Sequence, residues 1–495
     1  MNTNKMQNIF LRTILLLLIL VGFKGQCQHF YIEKTPRDSA INALLQIKSN
    51  IEEVHPNPYH SMPKAHIDFT INAAIKELPD SLNEIELYRL LLPFVNQYND
   101  GHIQLKCPFG KFINQAINMD KGIFPLTLYE LNGSSFVKHS IFDSIVKPGY
   151  HLISIDNVSI DTIIKKYSRY KFGDNLQIRK RKAIEDFTVL AYFDGGSRES
   201  YTIGYKKDCY SEVQHTRIPA AKKEDIVRYN QSYTPSSPKK YFSNPVIKMD
   251  QLIYLQIHPK RRIALLTLPC FDVSTSMEQE YANKIDSAYQ YLLSHGIDTL
   301  LIDIRENQGG RDFPGTHILK HMATRSYSYG DALMKVSTHQ QKLYKEILKE
   351  KLSDSLYIKS TEYHNFFLRK HGELFALNRD TTQEAKPEDL YTGKTFLLIG
   401  KKTFSAAVSF AAVCKCYQFA TLIGEETDGQ LVTYTSLIPT PIPIQGIWFG
   451  VAHRKVINAC ASNSPGGLKP DVLVKPTHES FLSDFDEVIE FILKK

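Results

Sequence analysis

The chain has 495 residues, room for about three or four domains, and its 43% apolar, 11% aromatic and 23% charged residues are the make-up of a soluble globular protein, not of a disordered chain. The 25 glycines and 23 prolines, scattered without period, exclude a collagen-like repeat, and 7 cysteines are too few for a disulfide scaffold. The net charge of +8 is spread along the sequence; the densest basic runs, 179–182 and 260–262, lack interleaved aromatics that would stack bases, so they read as solvated faces and no nucleic-acid partner is expected.

At the N-terminus Lys5 and Arg12 precede an uncharged apolar run over 13–23, too short for a helix across a bilayer, which needs about 17–25 residues. That run and the following Gly25-Gln26-Cys27 fit a secretory signal over 1–27, cleaved after Cys27. Gln26, where a lipoprotein needs a small residue, argues against a lipidated Cys27. The mature chain is therefore expected to be exported, periplasmic or extracellular, without a lasting membrane span.

Residues 28–110 read as a helical domain. Ile41, Leu44, Leu45, Ile47 and Ile51, and again Leu87, Leu90, Leu91 and Phe94, recur at spacings of three and four, with Pro56 and Pro58 between the two runs. It ends in the loop Asn99-Asp100-Gly101-His102 before a strand through Ile103 and Leu105. Over 118–206 the period shifts toward two, and the tight turn at Asp156-Asn157 between short strands marks a small β-rich module. The polar stretch 207–250, with Pro235 and Pro238, reads as a linker or long loop.

From 251 to 495 strands and helices alternate, as in an α/β domain with buried parallel strands. Thr275 and Glu278 suggest a capping box for a helix that Gly296 ends. The charge-mixed segment 337–394 reads as an insertion over one edge. The remaining cysteines, 107, 209, 270, 414, 416 and 460, are even in number, but Cys414 and Cys416 lie in an apolar helical stretch and read as small core residues.

Two strand-to-loop junctions are candidates for chemistry, because functional groups gather where strands of such domains end. At Asp303-Ile304-Arg305-Glu306-Asn307-Gln308-Gly309-Gly310, paired glycines allow backbone N–H groups to face a ligand. At Lys401-Lys402-Thr403-Phe404-Ser405-Ala406-Ala407, a serine opens an apolar helix, where the positive helix terminus and the next N–H favour an oxyanion. Taken singly, the first is also an ordinary turn and the second an ordinary N-cap.

In combination with Ile423-Gly424-Glu425-Glu426-Thr427-Asp428-Gly429 and Gly467-Leu468-Lys469-Pro470-Asp471, these motifs resemble the S41 family of serine peptidases, the tail-specific or carboxyl-terminal processing proteases. The resemblance extends to the N-terminal half through His55-Pro56 and Asn99-Asp100-Gly101-His102, and through Lys147-Pro148-Gly149, which is similar to a PDZ-type strand pair. It implies a mixed α/β protease core of the crotonase or ClpP kind with a helical N-terminal domain and a PDZ-like module. It assigns Ser405 as nucleophile, with the N–H groups of Ala406 and of Gly309 or Gly310 as oxyanion hole.

One S41 branch takes a lysine as base, but Gln430 stands where that lysine would fall, and an amide cannot accept the proton. The other branch, resembling tricorn-type members, takes a histidine in an Asp-x-His loop, which His102 matches. An unperturbed imidazole base predicts turnover rising through about pH 6 to 7. The glutamate that orients it in that branch is missing, leaving Asp100 or Ser464 as orienting residue, and Val408 replaces a glutamate common after the serine. The resemblance thus implies an endopeptidase acting on proteins or peptides, near their C-termini in some relatives, with no metal or other cofactor, and the signal read over 1–27 makes it an exported one. The alternative is a catalytically impaired peptide-binding protein of the same fold.

Overall fold

The computed structural model describes residues 34–208, 210–232, 241–350, 366–381, 390–461, 466–483 and 485–494. The signal segment, Cys27, Cys209, Pro235, Pro238 and Ser464 lie outside them. Among the described residues no helix is long and apolar enough to cross a membrane.

Helix Arg37–Val54 buries Ala40, Ala43, Leu44, Ile47, Ile51 and Val54 on one stripe, and Pro56 prevents its continuation. Helices Lys64–Lys76 and Glu84–Asn96 pack beside it, the latter opened by a capping box between Asn83 and Glu86. After the loop at 99–102, strand Ile103–Leu105 leaves the helices and pairs antiparallel with Phe449–Asn458. The N-terminal helices are thereby joined to a sheet contributed by the C-terminal half, and Phe449 and Val451 belong to their apolar core.

The β-rich part is a sheet in the order Leu126–Leu131, Ser134–Ser140, His151–Ile155, Ser200–Lys206 and Gln214–Pro219, with helices Ile160–Tyr167, Leu176–Glu185 and Phe187–Gly195 between its third and fourth strands. Reading 207–250 as linker needs correction. Strand Gln214–Pro219 pairs along its length with Ser200–Lys206, and helix Lys223–Ser232 follows. Each buries one side chain, Ile218 and Ile226, so neither carries the apolar periodicity that marks an element in sequence.

A seven-stranded sheet forms the C-terminal half: Ile247–Met249, Ile253–Ile257, Ile263–Thr267, Thr299–Asp303, Lys394–Ile399, Thr421–Gly424 and Val472–Leu473, in that spatial order. From Ile263–Thr267 onward the pairing is parallel, and strands buried on both faces account for the apolar runs of Leu300 to Ile302 and Phe396 to Ile399. The fold is mixed α/β, as expected.

Two local readings change, and the insertion gains detail. The capping box does not form: a 3-10 turn, Thr275–Met277, precedes helix Glu278–Ser294, and Glu278 pairs with Arg311 instead. The insertion read over 337–394 has packed elements of its own. Helix Thr338–Glu350 packs on Arg37–Val54, strand Leu374–Leu377 extends the Gly330–Lys335 edge, and Met334, Val336, Tyr344, Phe366 and Phe375 bury one another. Cys416 is not a core thiol but is disulfide-bonded to Cys460, while Cys414 stays buried and free.

Candidate active site

Strand Lys394–Ile399 ends in a loop that reverses into helix Ala406–Cys416, and Ser405 stands at the reversal with φ +53° and ψ −127°. This conformation is costly for any residue with a Cβ, so the surroundings must hold it. Thr403 Oγ1 donates to Ile304 O at 2.9 Å and accepts from Gly400 N at 3.1 Å. Phe404 N donates to Asn307 O at 3.1 Å. Gly429 lies so close that a Cβ there would be 2.9 Å from Phe404 Cα.

The glycine turn lies against the serine. Gly309, at φ +94°, approaches so closely that a Cβ would sit 2.7 Å from Ser405 Cβ and 3.0 Å from Ala406 N. Asn307, fully buried, fixes the turn by donating to Leu268 O at 2.9 Å and accepting from Gly309 N at 2.8 Å. The Gly309 amide is therefore already engaged, whereas no protein acceptor engages Gly310 N or Ala406 N among the described residues. Arg305 of the same motif works elsewhere: its guanidinium pairs with Asp303 and, at 2.7 and 3.0 Å, with Asp486 at the start of helix Glu487–Leu493.

His102 comes from the other end of the chain. Carried to the site by strand Ile103–Leu105, it stacks on Phe404 at 4.9 Å between ring centroids and sets Nε2 3.1 Å from Ser405 Oγ. Burial pushes its pKa down to about 4, the Lys182 charge adds to that, and the Asp100 carboxylate opposes it. The imidazole is thus neutral near pH 7 and able to accept a proton at Nε2.

Asp100 does not hold the His102 ring. Its carboxylate accepts from the His102 backbone N–H at 2.6 Å and contacts His55 Nε2 at 2.7 Å. Because Asn57 N donates to His55 Nδ1 at 3.1 Å, His55 carries its proton on Nε2 and gives it to Asp100. His102 Nδ1, though buried, has no partner among the described residues; the other orienting candidate, Ser464, lies outside them. Gln430 takes no part at the serine: it accepts from Gly466 N at 3.0 Å and donates to Asp428 O at 3.1 Å. Val408 is buried in the core.

Sequence reasoning passed over Asp174, Arg181 and Lys182. Asp174 accepts from Gly101 N at 2.6 Å, and burial together with the nearby Asp100 charge pushes its pKa up to about 7. The basic run 179–182 is not a solvated face. Arg181 Nε donates to Asp428 at 2.8 Å, and the Lys182 ammonium lies 5.6 Å from the Phe404 ring centroid, its pKa pushed down to about 8 by burial and neighbouring cations. The sequence holds no clear signal for this, since the buried apolar residues Ile178, Ala183 and Ile184 stand five and six apart and do not share one helical face.

A half-buried serine in contact with a buried histidine, beside a double-glycine turn on an α/β sheet, is the arrangement of a serine-hydrolase type of site. Residues 262–474, the part that carries Ser405 and the double-glycine turn, match the model of Peptidase family S41, and this part of the chain is a serine-peptidase domain of the S41 type. Among solved structures it is similar to mature CPAF, at 14% identity and TM-score 0.64 over 92% of this chain and 97% of that one. It is similar also to mature CPAF complexed with lactacystin, at 15% identity and TM-score 0.61 over 92% and 97%. At these identities the likeness is one of fold. No curated protein sequence matches the chain.

Proposed function

We propose that this peptidase is an exported endopeptidase in which Ser405 is the nucleophile and His102 the general base. Ser405 Oγ bonds to the peptide carbonyl carbon as its proton passes to His102 Nε2; that proton then goes to the departing amine, and water releases the acyl-enzyme by the same route. The single observation that carries this reading is the 3.1 Å contact between His102 Nε2 and Ser405 Oγ. The amides of Ala406 and Gly310 receive the oxyanion, since Gly309 N already donates to Asn307. Asp100 is a positioning residue, acting through the His102 backbone and its charge. The Cys416–Cys460 disulfide supports an oxidising compartment, in keeping with the signal read over 1–27. The β-rich module is the PDZ-like unit that engages substrate chains, by strand addition along its sheet.

The test is labelling with a serine-directed phosphonate, mapped by mass spectrometry, beside peptide hydrolysis. Label on Ser405, and loss of about 10⁴-fold or more of the rate in Ser405→Ala, are expected. The unpartnered His102 Nδ1 favours the second reading, a peptide-binding protein with impaired catalysis. Peptide binding without labelling or turnover would establish that reading and sink the first.

A further inference from the structure

Away from Ser405, two helices bring three metal-ligating side chains together. Asp286 projects from helix Glu278–Ser294, His317 from the last turn of helix Asp312–Leu319, and His321 from one turn further along. Both imidazoles direct Nε2 at the same carboxylate oxygen of Asp286, from 2.6 Å for His317 and 2.8 Å for His321, and one donor atom from each of the three lies within 4.8 Å of the others. The spacing of four residues sets the two rings on one side of the chain.

The rings are fixed from behind. His321 lies flat on the buried Tyr289, 4.5 Å between centroids and 10° between planes, and its carbonyl accepts from Tyr391 N at 2.8 Å. His317 packs on Phe313 at 5.7 Å. The Asp286 side chain is 42% exposed, so the cluster opens to water on one side.

We propose that Asp286, His317 and His321 form a binding site for a divalent cation of the zinc class, completed by water. Two imidazole nitrogens and one carboxylate oxygen with an open fourth position are a zinc donor set, whereas calcium and magnesium take oxygen ligands. Tetrahedral zinc with bonds of about 2.0–2.1 Å needs donors about 3.3 Å apart. The two contacts therefore have to open by about 0.7 and 0.5 Å, which rotation of a partly exposed carboxylate supplies. Helix Asp312–Leu319 begins two residues after Gly310, and its Gly315 lies against Phe410 of the helix that Ser405 opens. A bound ion would tie this helix to Glu278–Ser294 and brace the base of the glycine turn.

The test uses the mature chain carrying Ser405→Ala, so that it cannot digest itself. In equilibrium dialysis it should bind one zinc ion per chain, and zinc should raise its thermal midpoint by several degrees. Adding Asp286→Asn or His321→Gln should abolish both effects, while adding His102→Ala, which removes the imidazole beside Ser405, should leave both in place. Zinc-edge X-ray absorption on the unmutated cluster should report two imidazoles in the ligand shell. Failure to bind, binding undiminished by Asp286→Asn and His321→Gln, or a shell without imidazole would each overturn the proposal; the last needs no variant to fold.

Discussion

Closed from solvent between Phe404 and the Asp100 loop, the His102 imidazole has its pKa near 4, where free imidazole lies near 6.5. The expectation of an acid limb at pH 6 to 7 therefore moves down: kcat/KM should rise with pH through about 4. Lys182→Met should shift that limb upward by removing a nearby positive charge, and Asp100→Asn should shift it downward by removing a negative one, both read from pH profiles. The same depression acts on stability. As pH falls the unfolded chain takes the proton first, so the contribution of His102 is complete above about pH 6.5 and is lost between there and about 4. His139, at about 4, and His453, at about 3, act in the same direction. Asp174, raised to about 7, opposes them, its contribution falling as pH rises from about 4 to 7. At Gly309 the backbone is decisive: a Cβ would meet Ser405 Cβ at 2.7 Å on a residue at φ +94°. Gly309→Ala should cost at least about a hundredfold in kcat by displacing Ser405, the proposed nucleophile, and the amides beside it, and steady-state kinetics checks this.

Among the elements, helix Ala406–Cys416 is held at both ends. Ser405 strains its start, and Cys416 ties its end to Cys460, just beyond strand Phe449–Asn458. A bridge across a sequence separation of 44 residues stabilises by about 4 kcal/mol on chain entropy. Cys460→Ser should lower unfolding free energy by roughly 2–4 kcal/mol, measured by denaturant titration, and reductant should affect the wild type but not the variant. This pairing was not legible in the sequence, because an apolar helix of small residues gives Cys416 the same pattern as the buried Cys414. What was legible had a local cause. The serine at a helix start, the double glycine and the buried parallel strands each impose their own residue types on a short stretch. Strand Gln214–Pro219 and the docking of Arg181 and Lys182 did not, because they are decided by partners far along the chain.

At the scale of the molecule, the site is closed by contacts between its β-rich and C-terminal parts. Arg181 joins Asp428, with side chains only 10% and 17% exposed, and Lys401 reaches Glu130 at 2.7 Å. Arg181→Ala leaves Asp428 without its closest cation in a poorly solvated position, so a loss of about 3 kcal/mol is expected. The double variant with Asp428→Asn should recover part of it; thermal or denaturant unfolding of the cycle checks the coupling.

The separation of 303 residues between His102 and Ser405 also sets a schedule. A chain that emerges N-terminus first presents its histidine long before its serine. Even a finished serine loop lacks its partner until strand Ile103–Leu105 finds residues 449–451. On the proposed mechanism the growing polypeptide therefore has no assembled pair with which to cut itself or its neighbours, and hydrolytic capacity arrives only after nearly the whole sequence has been made and folded.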